Sequence, residues 1–388
     1  MRAPRPATEM CVRYPGLDLL RAIAVVWTML FHSFVVGGLG PDWSWLSRYG
    51  WMGVDIFFVL SGFLIGTQVL RPLAQGQRLS FRGFYLKRAF RILPAFLVVL
   101  ALYLWWPAFR EAPGMEPWWK FAGFFVNLSI NYGRNAAFSH AWSLCVEEHF
   151  YLLFPVLAWW LLRRPAVWKF GVLFAVLLVG GIALRAGIWL HDAAADPGMQ
   201  ARNWFVEDIY YPTWCRLDGL VFGVALAVLK VFRPAGWQRA QGHANVAAVA
   251  GLGLVAGAMW LFRDRIGLLG NSVGWPTLSL GLALLVFAGA SSTRLIGRWR
   301  VPGAAWLAAV SYSLYLVHKP VFHLVQLHWG DGLAGHRLLA FCTYGAAAIL
   351  AAAVLHYLVE RPFLRLRERI LAASPRRADL ASIPTLPG

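Results

Sequence analysis

Several residues that can do chemistry stand alone inside apolar runs. Asp55 sits in YGWMGVDIFFVLSGFLIG, His32 ends LDLLRAIAVVWTMLFH, and Glu147 and Glu148 interrupt AWSLCVEEHFYLLFP. Arg216, Asp218 and His318 are likewise flanked by Trp, Phe, Leu and Val. A charged side chain near a bilayer centre costs about 2.5–3.5 kcal/mol on insertion scales, so such groups mark a pathway, a paired network or a reaction site. Arg21 precedes His32 by eleven positions, about 16 Å along a helix, which is too far for the two to pair. One reading sets Arg21 near an anionic donor and His32 beside a reacting hydroxyl; the other gives Arg21 a lipid phosphate and His32 a bond between helices. Arg88 and Arg91 share a helical face in FYLKRAFRILP. Two such guanidinium groups suit the phosphate oxygens of a donor, with headgroup anchoring as the structural alternative.

These groups need helices to carry them, and the composition is that of a membrane protein. The 388 residues are 59% hydrophobic and 14% charged. The expected fold is an all-α polytopic membrane bundle with about ten spans. They fall at 17–37, 50–70, 90–107, 140–162, 168–190, 209–230, 244–262, 275–291, 304–328 and 337–358. The apolar segment 118–130 is too short to span and suits an interface. Basic residues cluster after every second span, as in Arg71–Arg88, Arg163–Lys169, Lys230–Arg239 and Arg294–Arg300, which places both termini in the cytoplasm. The net charge of +18 thus follows from topology, and its spread over successive inner loops argues against a nucleic-acid partner. Alternate spans run in opposite directions, so His32, Asp55, Glu147, Glu148, Arg216 and Asp218 are expected in one outer layer, approached by His318, as in an enclosed chamber. A salt-bridged structural network is the alternative.

Other motifs are weaker. Four scattered cysteines show neither a metal-ligand spacing nor a disulfide framework, the histidines form no HExxH pattern, and no metal site is expected. Ser61, Gly62 and Gly66 in SGFLIG read as a small-residue packing surface. No cleaved signal peptide is expected. Residues 1–12 read as a cytoplasmic lead-in, 13–363 as one membrane domain and 364–388 as a cytoplasmic tail.

Taken in order, LDLLRAIAVVWTMLFH, GVDIFFVLSGFLI, KRAFRILP, AWSLCVEEHFYLLFP, SYSLYLVHKP and HYLVERPF resemble the acyltransferase-3 family of membrane enzymes over about residues 13–363. Arg21 and His32 match that family's Arg/His pattern, Arg88 and Arg91 its Arg/Arg pattern, and Trp142, Ser143, Glu147 and Glu148 its acidic motif, with His149 where Gln is common. The resemblance implies O-acyl transfer in a bacterial cytoplasmic (inner) membrane. The donor would be cytoplasmic acyl-CoA, acetyl-CoA first among the choices, and the acceptor a hydroxyl of an exported or membrane-presented carbohydrate. No tightly bound cofactor is implied, and membrane lipids are the surrounding partners. Acyl transfer needs a polarised thioester, an activated hydroxyl and stabilised tetrahedral charge. His32 is the candidate base. Glu147 or Glu148 would orient it, assist protonation or bind acceptor hydroxyls, while Arg21, Arg88 and Arg91 would face the donor. Asp55, Trp142, Ser143, Arg216, Asp218 and His318 would line the acceptor chamber. Direct transfer and a covalent acyl-His intermediate both remain open. The fused hydrolase-like domain of some family members is not expected after this membrane domain, and a second transfer step is then expected to need another protein. The rival class is a transporter of a glycan or lipid-linked intermediate.

Overall fold

The computed structural model describes residues 14–40, 43–163, 167–292 and 294–373. Eleven main helices follow in chain order: α1 Pro15–Phe31, α2 Gly53–Ala74, α3 Phe81–Trp105, α4 Trp142–Leu162, α5 Val167–Ala195, α6 Asp218–Phe232, α7 Ala244–Leu261, α8 Trp275–Gly289, α9 Ala304–Leu333, α10 Arg337–Leu355 and α11 Arg361–Ala373. No strand occurs among the described residues. Among the described residues, eight segments are long and apolar enough to cross a membrane, or nine if the bent pair Asp218–Phe232 and Pro234–Gln241 is one span. The remaining expected span, 304–328, falls on α9, whose 30 residues reach about 45 Å. Its Ser, Tyr, His and Lys side chains lower its hydropathy because they face the protein interior: Ser311, Ser313, Tyr315, His318 and Lys319 are all buried.

The expected span 209–230 is the one the structure redraws. Trp204 leads into a wide turn over Phe205–Tyr210, Pro212 and a tight turn over Thr213–Cys215 follow, and the α-helix begins only at Asp218. Proline lacks an N–H and fixes φ, so a continuous helix through 212 is disfavoured. Arg216 therefore stands before the helix and Asp218 at its first position. The segment 118–130 contains a short helix, Trp118–Ala122, and a tight turn at Val126–Leu128, as a non-spanning piece would.

Small residues let the helices that carry polar groups approach closely. Gly62 of α2 faces Leu220 and Gly223 of α6 so tightly that a Cβ there would lie 2.2 Å from the Leu220 carbonyl oxygen. Gly53 at the start of α2 is pressed against α1, where a Cβ would lie 2.4 Å from the Ala24 carbonyl oxygen. Without a hydrophobic drive between helices in lipid, such contacts supply dispersion attraction and fix register. The start of α1, the end of α2 and the start of α3 share one end of the bundle; the end of α1, the start of α2 and the loop before α4 share the other.

Candidate active site

Two cavities lie back to back inside the bundle. The first, of about 220 Å³, lies toward the end that carries Arg21, Gln68, Arg88 and Arg91, with Ser143, Glu147, Glu148 and Tyr151 on α4 and Tyr312 and Tyr315 on α9. The Glu147 carboxylate accepts from Ser61 Oγ at 2.7 Å and Tyr151 Oη at 2.9 Å. Ser61, read as a packing residue, thus also fixes a carboxylate. Glu148 Oε1 is buried without a hydrogen-bond partner among the described residues. The three arginines differ. Arg91 is engaged by Glu360, which also accepts from Ser313 Oγ at 2.8 Å and lies 2.9 Å from His356 Nδ1. Arg21 and Arg88 have neither an ion pair nor a hydrogen bond among the described residues, and Arg88 lies over the Tyr151 ring at 5.7 Å. These two guanidinium groups, without an ion pair among the described residues, line one cavity together with the carboxyl groups of Glu147 and Glu148, and guanidinium geometry suits phosphate or carboxylate oxygens.

The second cavity, of about 400 Å³, is lined by His32, Ser139, His140, Lys319, Arg265 and an aromatic set that includes Tyr132, Trp142, Tyr210 and Tyr211. His32 sits where α1 tightens into the turn His32–Val36, which Gly37 ends at φ 82°, a left-handed conformation that glycine adopts without strain. The imidazole is thereby placed at the cavity wall and not midway along a helix.

Hydrogen bonds assign its tautomer. His318 Nδ1 lies 2.8 Å from the Tyr315 carbonyl oxygen, which can only accept, so Nδ1 carries the proton and Nε2 is an acceptor. His32 Nδ1 lies 2.8 Å from that Nε2 and must donate to it. In the neutral pair His32 Nε2 is left bare, which is the tautomer a general base needs. His318 orients the ring, the part expected of Glu147 or Glu148. Those glutamates line the other cavity, so the geometry does not bring them to the imidazole.

A second histidine enters through a helix defect. Pro320 within α9 has no N–H, which leaves the Leu316 carbonyl without its usual helical donor, and His140 Nε2 lies 3.3 Å from that oxygen. His140 and His318 rings are 5.3 Å apart, centroid to centroid. Lys319 Nζ bonds Glu111 at 2.8 Å and Ser139 Oγ at 3.3 Å beside them.

Of the residues expected in one chamber, the structure separates several. Trp142 lines the second cavity and stacks on Tyr211 at 5.1 Å, whereas Ser143 lines the first. His318 stands behind His32. Asp55 and Arg216 line neither cavity: they pair at 2.8 Å, with the guanidinium over Trp275 at 3.5 Å and Tyr210 at 4.8 Å. Asp218 also lies elsewhere, held by Arg185 through bonds of 2.7 and 3.1 Å. Equal depth does not imply a shared chamber, because helices carry polar groups on different faces, and the irregular run before Asp218 displaces the expected register. Sequence reasoning passed over Arg185, His140, Lys319, Glu111, Tyr315 and Glu360. Arg185 is the one charge in the run 170–190, a signal as strong as Asp55. Pro320 beside His318 and Lys319 marked a freed carbonyl. Glu111 lies in a polar loop and carried no comparable mark.

The described residues form a polytopic helical bundle with an arginine-lined cavity and a histidine-lined cavity back to back, the architecture of a multi-pass membrane protein. The chain matches the Acyltransferase domain over residues 14–357 and belongs to the acyltransferase-3 family. It is similar to O-acetyltransferase OatA of Staphylococcus aureus, 25% identical over 343 residues that cover 82% of this chain and 52% of the relative. It is also similar to peptidoglycan O-acetyltransferase OatA of Listeria monocytogenes, 26% identical over 338 residues that cover 80% of this chain and 49% of the relative. The chain thus spans about half the length of these curated relatives. No solved structure matches the chain.

Proposed function

We propose that the protein is a membrane O-acyltransferase that moves an acyl group, acetyl first, from cytoplasmic acyl-CoA to a hydroxyl of a carbohydrate presented at the opposite side of the membrane. The observation that carries this reading is the bare Nε2 of His32 in a cavity that abuts a second cavity walled by arginines. The names of the relatives, one of them a peptidoglycan O-acetyltransferase, support acetyl and carbohydrate as the classes. Basic residues at the Arg21 end, among them Arg71, Arg78, Arg82, Lys87 and Lys230, support a cytoplasmic assignment for that end and for both termini, in the inner membrane of a bacterium.

In this reading Arg21 and Arg88 receive the donor's phosphates, with Arg91 recruited from Glu360 or held as part of the wall. The sugar lies among Tyr132, Trp142, Tyr210 and Tyr211, where aromatic faces cover its apolar C–H surface and hydroxyls find Ser139 and Lys319. His32 Nε2 removes the proton of the acceptor hydroxyl as its oxygen attacks the thioester carbonyl. The C–O bond forms, the C–S bond breaks, and the proton passes from His32 to the departing CoA thiolate. The imidazolium formed in passing has His318 and Tyr315 on its far side, while Lys319 supplies positive charge near the developing oxyanion.

Inside-out membrane vesicles from cells that naturally make the protein turn its proposed donor face toward added acyl-CoA. Supplied with acetyl-CoA labelled in the acetyl group, they should release CoA and place label on an oxygen of envelope carbohydrate, located by mass spectrometry. Label on an amine would reject O-transfer. Movement of unmodified glycan without thioester consumption would instead make the protein a transporter.

A further inference from the structure

Two side chains line both cavities: Val54 on the first turn of α2 and Tyr315 on α9. We infer that they form the partition the acyl group must pass to reach His32, and that Val54 sets the longest acyl chain accepted. The inference rests on the acyl-transfer reading and deepens it to a specificity residue.

Tyr315 is the fixed side of the partition. Its hydroxyl is held between Ser143 Oγ at 2.6 Å and the His140 carbonyl oxygen at 2.8 Å, and its own carbonyl accepts from His318 at 2.8 Å. Moving the ring would break bonds that also set the histidine cluster, so the ring cannot yield to a longer acyl chain at low cost. Val54 is fixed in position through its neighbours. Gly53 locks the backbone against α1, and Asp55 is tied to Arg216. Only the two methyl groups of Val54 remain to define the gap, and both partition residues are buried, at 4% and 6% exposure. A β-branched side chain on a helix is stiff at χ1, so this edge does not swing aside. One extra methylene against an apolar wall changes selectivity by about 10–200-fold, which is the range expected between acetyl and propionyl donors here.

The test measures CoA release by the same vesicles with acetyl-, propionyl- and butyryl-CoA, for the wild type, Val54→Ala and Val54→Ile. Removing two carbons should raise the propionyl-to-acetyl rate ratio by about 10-fold or more and make butyryl transfer measurable. Adding one should lower the ratio below the wild-type value. Opposite shifts from opposite changes in size cannot come from loss of folded protein, which lowers all rates together. A wild type that consumes acetyl-CoA while both variants keep its chain-length ratio would overturn the partition and leave acyl transfer standing. A wild type that consumes none of the three donors would sink the acyl-transfer reading and the partition with it.

Discussion

At the scale of single residues, the proposed transfer depends on which nitrogen of His32 carries a proton, and that is decided through two further residues. The Tyr315 carbonyl forces the tautomer of His318, and His318 forces that of His32. His318→Phe removes the acceptor and should lower turnover by roughly 10²-fold with little change in the apparent donor KM. His318→Gln, whose amide oxygen can accept from His32 Nδ1, should recover part of it. Equal losses in both variants would assign His318 a packing role only. The arginines offer a second comparison, read by titrating the purified protein with CoA. Arg21→Ala and Arg88→Ala should each weaken binding at least as much as Arg91→Ala, because Arg91 already has Glu360 to hold. A larger effect at Arg91 would mean that the Glu360 contact yields to donor phosphate. The sequence singled out His32 and Arg21 as ionisable groups in an apolar run and Arg88 by its spacing to Arg91, and the structure sets all three on cavity walls. His318 was legible as a polar group but not as the orienting one, since α1 and α9 are 286 residues apart at this contact and spacing says nothing about their faces.

At the scale of elements, irregularity places the polar groups. The turn after α1 presents His32, Pro320 frees the carbonyl beside His140, and the wide turn His356–Glu360 brings Glu360 to Arg91. Hydropathy locates apolar helices but is blind to such breaks, which explains why 209–230 read as one helix, whereas 304–328 does fall on a continuous helix despite its polar face. The loop between α3 and α4 is organised by two carboxylates. Glu111 accepts from Tyr103 Oη, the Phe138 N–H and Lys319. Glu116 accepts from the Asn131 N–H at 2.8 Å, Asn135 Nδ2 at 3.0 Å and Lys120 Nζ at 2.7 Å. Burial alone would push the Glu116 carboxyl up, but the bonds from Asn131, Lys120 and Asn135 outweigh it and hold the group below its ordinary 4.5. A carboxyl depressed on folding stabilises the loop above its unfolded value and loses that contribution as pH falls through the folded one. The hydrogen-exchange protection factors of residues 126–138 should therefore be high above about pH 4.5 and fall on acidification below it, and Glu116→Gln should flatten that dependence. An acid response unchanged in Glu116→Gln would remove this carboxylate from the loop's stability.

At the scale of the whole molecule, the bundle holds two adjoining cavities in its polar interior, one lined by arginines and one carrying the histidines and aromatic rings. Buried pairs such as Arg185–Asp218 and Asp55–Arg216 belong to the scaffold between and beside them. Breaking one partner of such a pair costs about 3–5 kcal/mol, so they are poor sites at which to test function. Alternating spans and basic loops made this architecture readable from sequence; the split into two cavities was not, because it depends on which helix faces meet. The most direct measurement is transfer of labelled acetyl from acetyl-CoA to envelope carbohydrate by His32→Gln, beside wild type at equal membrane insertion and with CoA binding measured on both. The expected result is a loss of about 10²–10⁴-fold in transfer with CoA binding retained, since Gln keeps a polar side chain but cannot take the acceptor's proton. Transfer near the wild-type rate by a properly inserted His32→Gln protein would contradict the assignment of His32 as the base that joins the two cavities.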